Sequence, residues 1–313
     1  MLSGKIYIYH HNDHDGIVAA GVLYNYFMSL NNRKEIVFNT IDYDIELNFD
    51  MIDFSKGDTV YFLDYSFSNM DNIAALEALL MKRYSPNDVI WIDHHKSSIG
   101  VLNEYDIPGI RKVGLCGAAW TYLFCKYKLD EYKDLSAEAA SLKFHEYAPM
   151  FLRFIDDYDC WKKLYSQTND FHYGLTISDP TDILIDRLLI SPVEDIIPTI
   201  MEIINTGKKI QEYLNFNDRE YHVNMYGFEY TLPKEHGGYK CFCLNRKGNS
   251  LMFGDKIDKY DAVIPFFYID GKWKYSIFTN KDDVYCEAVA KSYGGGGHAK
   301  AAGWVTDKFI FAE

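Results

Sequence analysis

The chain is 313 residues long, with 48% apolar and 25% charged side chains and a formal net charge of −13 at pH 7. That balance excludes a disordered chain or a bundle of membrane spans, and the length exceeds one ordinary α/β core, so two domains are expected. The acidic balance argues against a surface that grips long nucleic acid, which needs broad cationic neutralisation of phosphates; a small anionic substrate is compatible if metal ions supply positive charge locally.

In chain order, apolar β-prone runs at Lys5–Tyr9, Glu35–Ile41, Thr59–Leu63 and Val89–Ile92 alternate with helical stretches at Ile17–Leu30, Asn69–Tyr84, Gly117–Tyr127 and Ala137–Ile155. In the helical stretches apolar residues recur every three or four positions. Alternating strand and helix is the rhythm of a covered parallel sheet. The segment from Val193 to about Asn224, interrupted by Pro198, has a polar face and no strand companions, and is expected to connect two domains. Beyond it, strands at Lys240–Leu244, Ala262–Ile269 and Trp273–Phe278, a helix near Tyr285–Ser292 and a glycine cluster describe a smaller α+β domain. The expected fold is therefore α/β: a catalytic parallel-sheet domain over 1–192, a helical connector over 193–224 and a C-terminal domain over 225–313, with the active site in the cleft between the domains.

Six cysteines, at 116, 125, 160, 241, 243 and 286, form no C-x-x-C pair, and no secretory leader precedes the first strand. Reduced thiols and a cytoplasmic location are expected. Cys241 and Cys243 are read as alternating across one strand, their sulfurs on opposite faces. No apolar run approaches the ~20 residues of a membrane span.

Three apolar strands end in acidic or imidazole residues: the first runs into His11-Asn12-Asp13-His14-Asp15-Gly16, the third into Asp64 and the fourth into Asp93-His94-His95. Ligands of open α/β sheets gather at the carboxyl ends of strands, so these clusters are expected to converge. Singly, Asp13 or Asp15 reads equally well as a helix cap and Asp64 as a turn cap. Together they form a carboxylate–imidazole set suited to Mn²⁺, Fe²⁺ or Zn²⁺, and the absence of a thiolate from the set argues against a structural zinc site. Asp13 and Asp15 could each serve one of two ions, with Asp64 as the natural bridge.

The order "HNDHDG" at 11–16, Asp64 after "VYFL", "DHH" at 93–95 and "GGGGHAKAAG" at 294–303 resembles the DHH phosphoesterase superfamily with its DHH-associated C-terminal domain. The resemblance spans nearly the whole chain. The compact first motif is similar to the nanoRNase and RecJ-like branches; inorganic pyrophosphatases place a histidine two residues further upstream, where Tyr9 stands here.

The resemblance implies His11 and Asp13 on one ion, Asp15 and His94 on the other, and Asp64 bridging two divalent ions, most readily Mn²⁺. It implies that His95 faces the substrate phosphate and that Asp93 orients the neighbouring imidazole. A fourth motif lies in "FIDDYDCW", where Asp157 is the chosen ligand and Asp156 and Asp159 stay open. The tract Gly294–Gly297 suits a backbone nest for an anion, with Gly296 and Gly297 allowing close approach and His298 holding a phosphate. Where relatives carry an arginine ahead of this tract, the chain reads Ser276-Ile277-Phe278-Thr279. Arg246 with Lys247, or Arg111 with Lys112, are the candidate replacements, and Lys96 is either a phosphate contact or a solvated charge.

The implied function is exonucleolytic hydrolysis of short oligonucleotides to mononucleotides. Alternatives are a phosphatase or phosphodiesterase for small nucleotides (3′-phosphoadenosine 5′-phosphate, or cyclic or linear dinucleotides) and a non-catalytic nucleotide sensor. No membrane partner and no long nucleic-acid surface are expected; oligomeric state is open, with a homodimer as the candidate.

Overall fold

In a computed structural model, residues 4–67, 70–96, 99, 105–127, 135–178, 193–217 and 223–311 are described, and the chain forms two compact units, Met1–Lys208 and Lys209–Glu313. Asn69 and the connector residues 218–222 lie outside the described residues. No described helix is long and apolar enough to cross a membrane.

The first unit is built on strands β1 (Ile6–His11), β2 (Ile36–Ile41), β3 (Thr59–Leu63), β4 (Val89–Asp93) and β5 (Gly109–Arg111). All are parallel, in the order β2-β1-β3-β4-β5. The expected sheet is present, with β5 added; three residues are too few to show a pattern. Its helices are α1 (His14–Ser29), α2 (Met70–Lys82), α3 (Gly117–Lys126), α4 (Ala137–Tyr147), α5 (Met150–Asp159), α6 (Thr168–Thr176) and the start of α7 (Val193–Asn217). Period-two alternation sends Ile6, Ile8, Leu63 and Ile92 into one core, under α1 and α3 to α7. Tyr7, Tyr9, Phe62 and Trp91 enter the other, under α2. Burial on both faces is why these strands read as unbroken apolar runs.

The single helix expected over Ala137–Ile155 is two. Pro149 has no N–H with which to continue α4 and biases the residue before it out of the helical region, and Ala148 adopts extended backbone (φ −72°, ψ 146°).

The second unit is a six-stranded mixed sheet, ordered β10-β11-β9-β8-β7-β6. Its strands are β6 (Phe228–Thr231), β7 (Lys240–Asn245), β8 (Ala262–Ile269), β9 (Lys272–Phe278), β10 (Gly296–Gly297) and β11 (Ala301–Thr306), with helix α8 (Cys286–Ser292). Cys241 and Cys243 enter the same core cluster while Phe242 joins another. Their sulfurs share a face, contrary to expectation, because residues two apart on a strand point the same way.

Candidate active site

Because β1, β3 and β4 are neighbours running in one direction, their carboxyl ends bring residues 11–15, Asp64 and 93–95 to one edge of the sheet, as strand-end binding in α/β folds requires. At the end of β3, Asp64 donates its backbone N–H to Ile92 (2.9 Å) and takes φ +54°. That left-handed backbone costs a non-glycine residue on the order of 1 kcal/mol. Asp64 is 1% exposed.

Capping and ligation are not alternatives for the first motif. Asp13 caps α1 with Oδ1 on the Gly16 N–H (2.9 Å) while its Oδ2 lies 2.9 Å from His11 Nδ1. Burial disfavours the Asp13 charge, but the His11 hydrogen bond and its positive charge outweigh it and hold the carboxyl at about 2. Asp15 accepts from the backbone N–H groups of Gly117 (2.6 Å) and Ala118 (2.7 Å), so it caps α3, whose own N-cap residue, Cys116, makes no side-chain bond. The helix dipole favours a carboxylate there. Gly117 is required at that contact: a Cβ on it would lie 2.6 Å from Asp64 Cβ.

His94 Nε2 stands 3.2 Å from Asp64 Oδ1, 3.3 Å from Asp159 Oδ2 and 3.7 Å from Asp15 Oδ2. Asp93 accepts from the His94 N–H (2.8 Å) and lies 2.8 Å from His95 Nδ1. Burial works against charge on His95, but that Asp93 contact outweighs it and raises the imidazole. Asp64 and Asp159 are pushed well above the carboxylate range, by burial first and then by Asp15 and Asp13 beside both. Such crowding of acids is the signature of a place for cations.

The residues fit divalent ions on their own geometry. Among the described residues Asp64 Oδ1 and Asp159 Oδ2 are buried and find no hydrogen-bond donor, although most buried oxygens in proteins have one. Among the described residues, three ligand groups are close enough to hold an ion: His11 with Asp13 and Asp64; Asp64 with His94 and His95; and His94 with Asp159 and Cys160. Asp64 belongs to two of them.

Asp157, the ligand expected from the fourth motif, lies outside these groups. Its carboxylate accepts from the Leu164 N–H (2.7 Å), the Tyr165 N–H (3.2 Å) and the Thr168 hydroxyl (2.5 Å), tying the turn after α5. Asp156 accepts from the Cys116 N–H (2.9 Å) and the Lys162 ammonium (2.6 Å). Asp159 is the fourth-motif residue that reaches the cluster. On α5, position 157 turns toward the core and position 159 toward the strand ends, a difference of two residues on a 3.6-residue helix.

Several neighbours were not anticipated. Asp42 and Tyr43 follow β2, the strand beside β1, with Asp42 Oδ1 3.7 Å from His11 Nε2 and the Tyr43 ring 5.1 Å from the His11 ring. The strand-end rule, applied to β2, would have found them. His14 Nδ1 lies 3.2 Å from His172 Nδ1, and His172 stacks on Tyr158 at 3.4 Å. These three border a cavity of about 110 Å³ together with Asp13, Asp15 and Asp159. Nothing in sequence pairs residues 158 positions apart.

In the second unit the glycine tract does not form the expected nest. Gly294 and Gly295 donate to Lys291 and Ala290, ending α8, and the His298 N–H donates to Ala301 (2.7 Å). Gly296 and Gly297 pair with Gly303 and Ala302 in a short ladder. Gly297 has φ +141°, and a Cβ there would lie 2.6 Å from Ala302 Cα; around Gly296 that space is open. His298 is exposed. Arg246 follows β7 and is half-buried. Arg111 is committed to the Ile107 carbonyl (2.9 Å) and the Trp91 ring (5.3 Å), and Lys112 to the Leu135 carbonyl (3.1 Å). Lys96 is exposed.

Comparison with known proteins agrees with this geometry. Residues 5–144 match the model of the DHH family, N-terminal domain. The chain is 24% identical over 333 residues to the oligoribonuclease NrnB of Bacillus subtilis (strain 168), covering 96% of this chain and 73% of that protein. Its fold is similar to a DHH domain from a member of the s1p family of ribosomal proteins (TM-score 0.60, 14% identity, 97% and 83% of the two chains). It is also similar to RecJ in complex with Mn²⁺ from Thermus thermophilus (TM-score 0.55, 14% identity, 97% and 50%). The motifs at the three adjacent strand ends all fall within residues 5–144, the part of the chain that matches the N-terminal domain of the DHH family.

Proposed function

We propose that the chain is a two-metal phosphodiesterase that degrades short oligonucleotides to mononucleotides. The observation carrying it is Asp64: a buried carboxylate with an orphaned oxygen, shared between one ligand group around His11 and another around His94. Two bound divalent ions would lower the pKa of an attacking water and neutralise charge on the phosphoryl oxygens. His11 and Asp13 would hold one ion; Asp15, His94 and Asp159 the other; Asp64 both.

The chain's own groups do the rest. Asp93 fixes His95 through Nδ1, which sets the tautomer and directs Nε2–H to a phosphoryl oxygen as charge develops there. Asp13 and Asp15 bind α1 and α3 to the strand ends through their caps, so the ligands are held before substrate arrives. In the C-terminal unit, His298, Arg246 and the open backbone at Gly296 would be the groups available to a phosphate.

The short-oligonucleotide reading is supported by the relative named an oligoribonuclease, matched over 96% of this chain, and by the net charge of −13, which disfavours tracking along a long strand. The test is Mn²⁺-supported hydrolysis of labelled RNA and DNA from dinucleotides to long strands, beside a cyclic dinucleotide and 3′-phosphoadenosine 5′-phosphate, with Asp64→Asn as the blank. Mononucleotide release that fades with length supports the proposal. Turnover confined to the small nucleotides moves the substrate class, and absence of Asp64-dependent turnover on all of them leaves a nucleotide sensor.

A further inference from the structure

We infer that Cys160 is a thiolate donor to the ion position around His94, making that position softer than the one around His11. The Cys160 sulfur, a carboxylate oxygen of Asp159 and a ring nitrogen of His94 lie within 4.8 Å of one another. Two carboxylate oxygens approach the same His94 Nε2, from Asp64 at 3.2 Å and from Asp159 at 3.3 Å, and both are buried without a hydrogen-bond partner. A cation held among His94, Asp159 and Cys160 would satisfy a carboxylate oxygen of Asp159.

The placement follows from how α5 ends. Cys160 is its C-cap, with the N–H donated to the Asp156 carbonyl (3.0 Å), and its sulfur lies close to the Asp159 carboxylate and the His94 ring. Cys116 is wholly buried in the core; Cys160 packs against the same core but is only half-buried, and its sulfur also reaches His94 and Asp159. The position around His11 draws on His11, Asp13 and Asp64 and includes no sulfur. Carboxylate and imidazole donors suit Mn²⁺, whereas a thiolate shifts preference toward Zn²⁺ or Co²⁺. The two positions are therefore unequal by donor chemistry. Ligation breaks the Cys160 S–H bond and forms a sulfur–metal bond, with the proton leaving to solvent; no electron is transferred.

This rests on the metal-site part of the proposed function, not on its substrate. The full chain, stripped of metal and kept reduced and anaerobic, is titrated with Co²⁺ and followed by near-ultraviolet absorption and calorimetry. A thiolate-to-cobalt charge-transfer band is expected, kept in Cys116→Ser and lost in Cys160→Ser. Zn²⁺ affinity is expected to fall on the order of tenfold or more in Cys160→Ser, and Mn²⁺ affinity by much less. Should that variant not fold, X-ray absorption of the Zn²⁺-loaded unaltered protein still reads a sulfur scatterer at about 2.3 Å. Calorimetric binding of Co²⁺ without the band, or a band that survives in Cys160→Ser, overturns the inference. Failure to bind Co²⁺, Zn²⁺ and Mn²⁺ at all overturns the metal site itself.

Discussion

Replacing Asp157 and Asp159 one at a time with asparagine perturbs two carboxylates on the same helix, with opposite consequences. Asp157 is 1% exposed and accepts three hydrogen bonds. An amide keeps one acceptor oxygen and turns an N–H₂ toward the remaining donors, so one or two bonds to a charged group are lost. At about 1.5–3 kcal/mol for such a bond, and with the Thr168 hydroxyl free to rotate, the variant loses roughly 2–4 kcal/mol. For a unit of this size that lowers Tm by roughly 5–15 °C. Asp159 Oδ2 accepts no hydrogen bond, and burial with the Asp15 and Asp13 charges opposes its ionisation. Its amide should leave metal-free stability unchanged or higher while Mn²⁺ affinity drops about 10–100-fold or more. Urea denaturation of chelator-treated protein and calorimetric Mn²⁺ titration measure both quantities. Loss of Mn²⁺ affinity in Asp157→Asn at unaltered stability would refute the assignment of these two residues.

Asp64→Asn should abolish Mn²⁺-dependent hydrolysis without lowering metal-free Tm, since the protein already opposes ionisation of that carboxyl; a calorimetric scan beside the activity assay checks it. Gly117→Ala brings a Cβ to 2.6 Å from Asp64 Cβ; overpacking of about 1–3 kcal/mol, partly offset by about 1 kcal/mol of helix propensity, should come with weaker Mn²⁺ binding, read by the same titration. Burial, and then the neighbouring His14, lower His172 from 6.5 to about 3. A depressed imidazole contributes stability that is full above pH 6.5 and is lost as pH falls toward 3, so in metal-free protein His172 should contribute a loss of about 1 kcal/mol per pH unit below about 6, opposed by the raised Asp64 and Asp159 carboxyls, which gain as pH falls. His172→Phe should flatten that slope in urea denaturation at stepped pH. Chelation should lower Tm, because ions that bind only the folded cluster stabilise it by mass action, and Mn²⁺ should restore it.

Much of the fold was written locally. The four longer strands of the first unit and β8 follow from unbroken apolar, β-prone runs, and the approximate bounds of α1, α2 and α3 from the 3.6-residue period, both set by neighbouring residues alone. The convergence of His11, Asp13, Asp15, Asp64, Asp93, His94 and His95 was legible as well, because parallel strands deliver their carboxyl ends to one edge whatever covers the faces. The break at Pro149 was also present locally, masked by apolar spacing that runs through it.

Only the tertiary structure could decide the rest. Asp156, Asp157 and Asp159 are chemically equal in sequence, and their roles are set by what each faces: the Cys116 N–H and Lys162, the turn at Leu164 to Thr168, and His94. Asp15 as the cap of α3, His172 against His14, and Cys160 beside the ligands depend on packing between segments far apart in the chain. The glycine tract was misread for the same reason: whether its N–H groups face an anion or their own hairpin depends on where β11 lies. Hydrogen bonds and charges act over a few ångströms, and it is the folded chain, not the order of residues, that fixes which groups come that close.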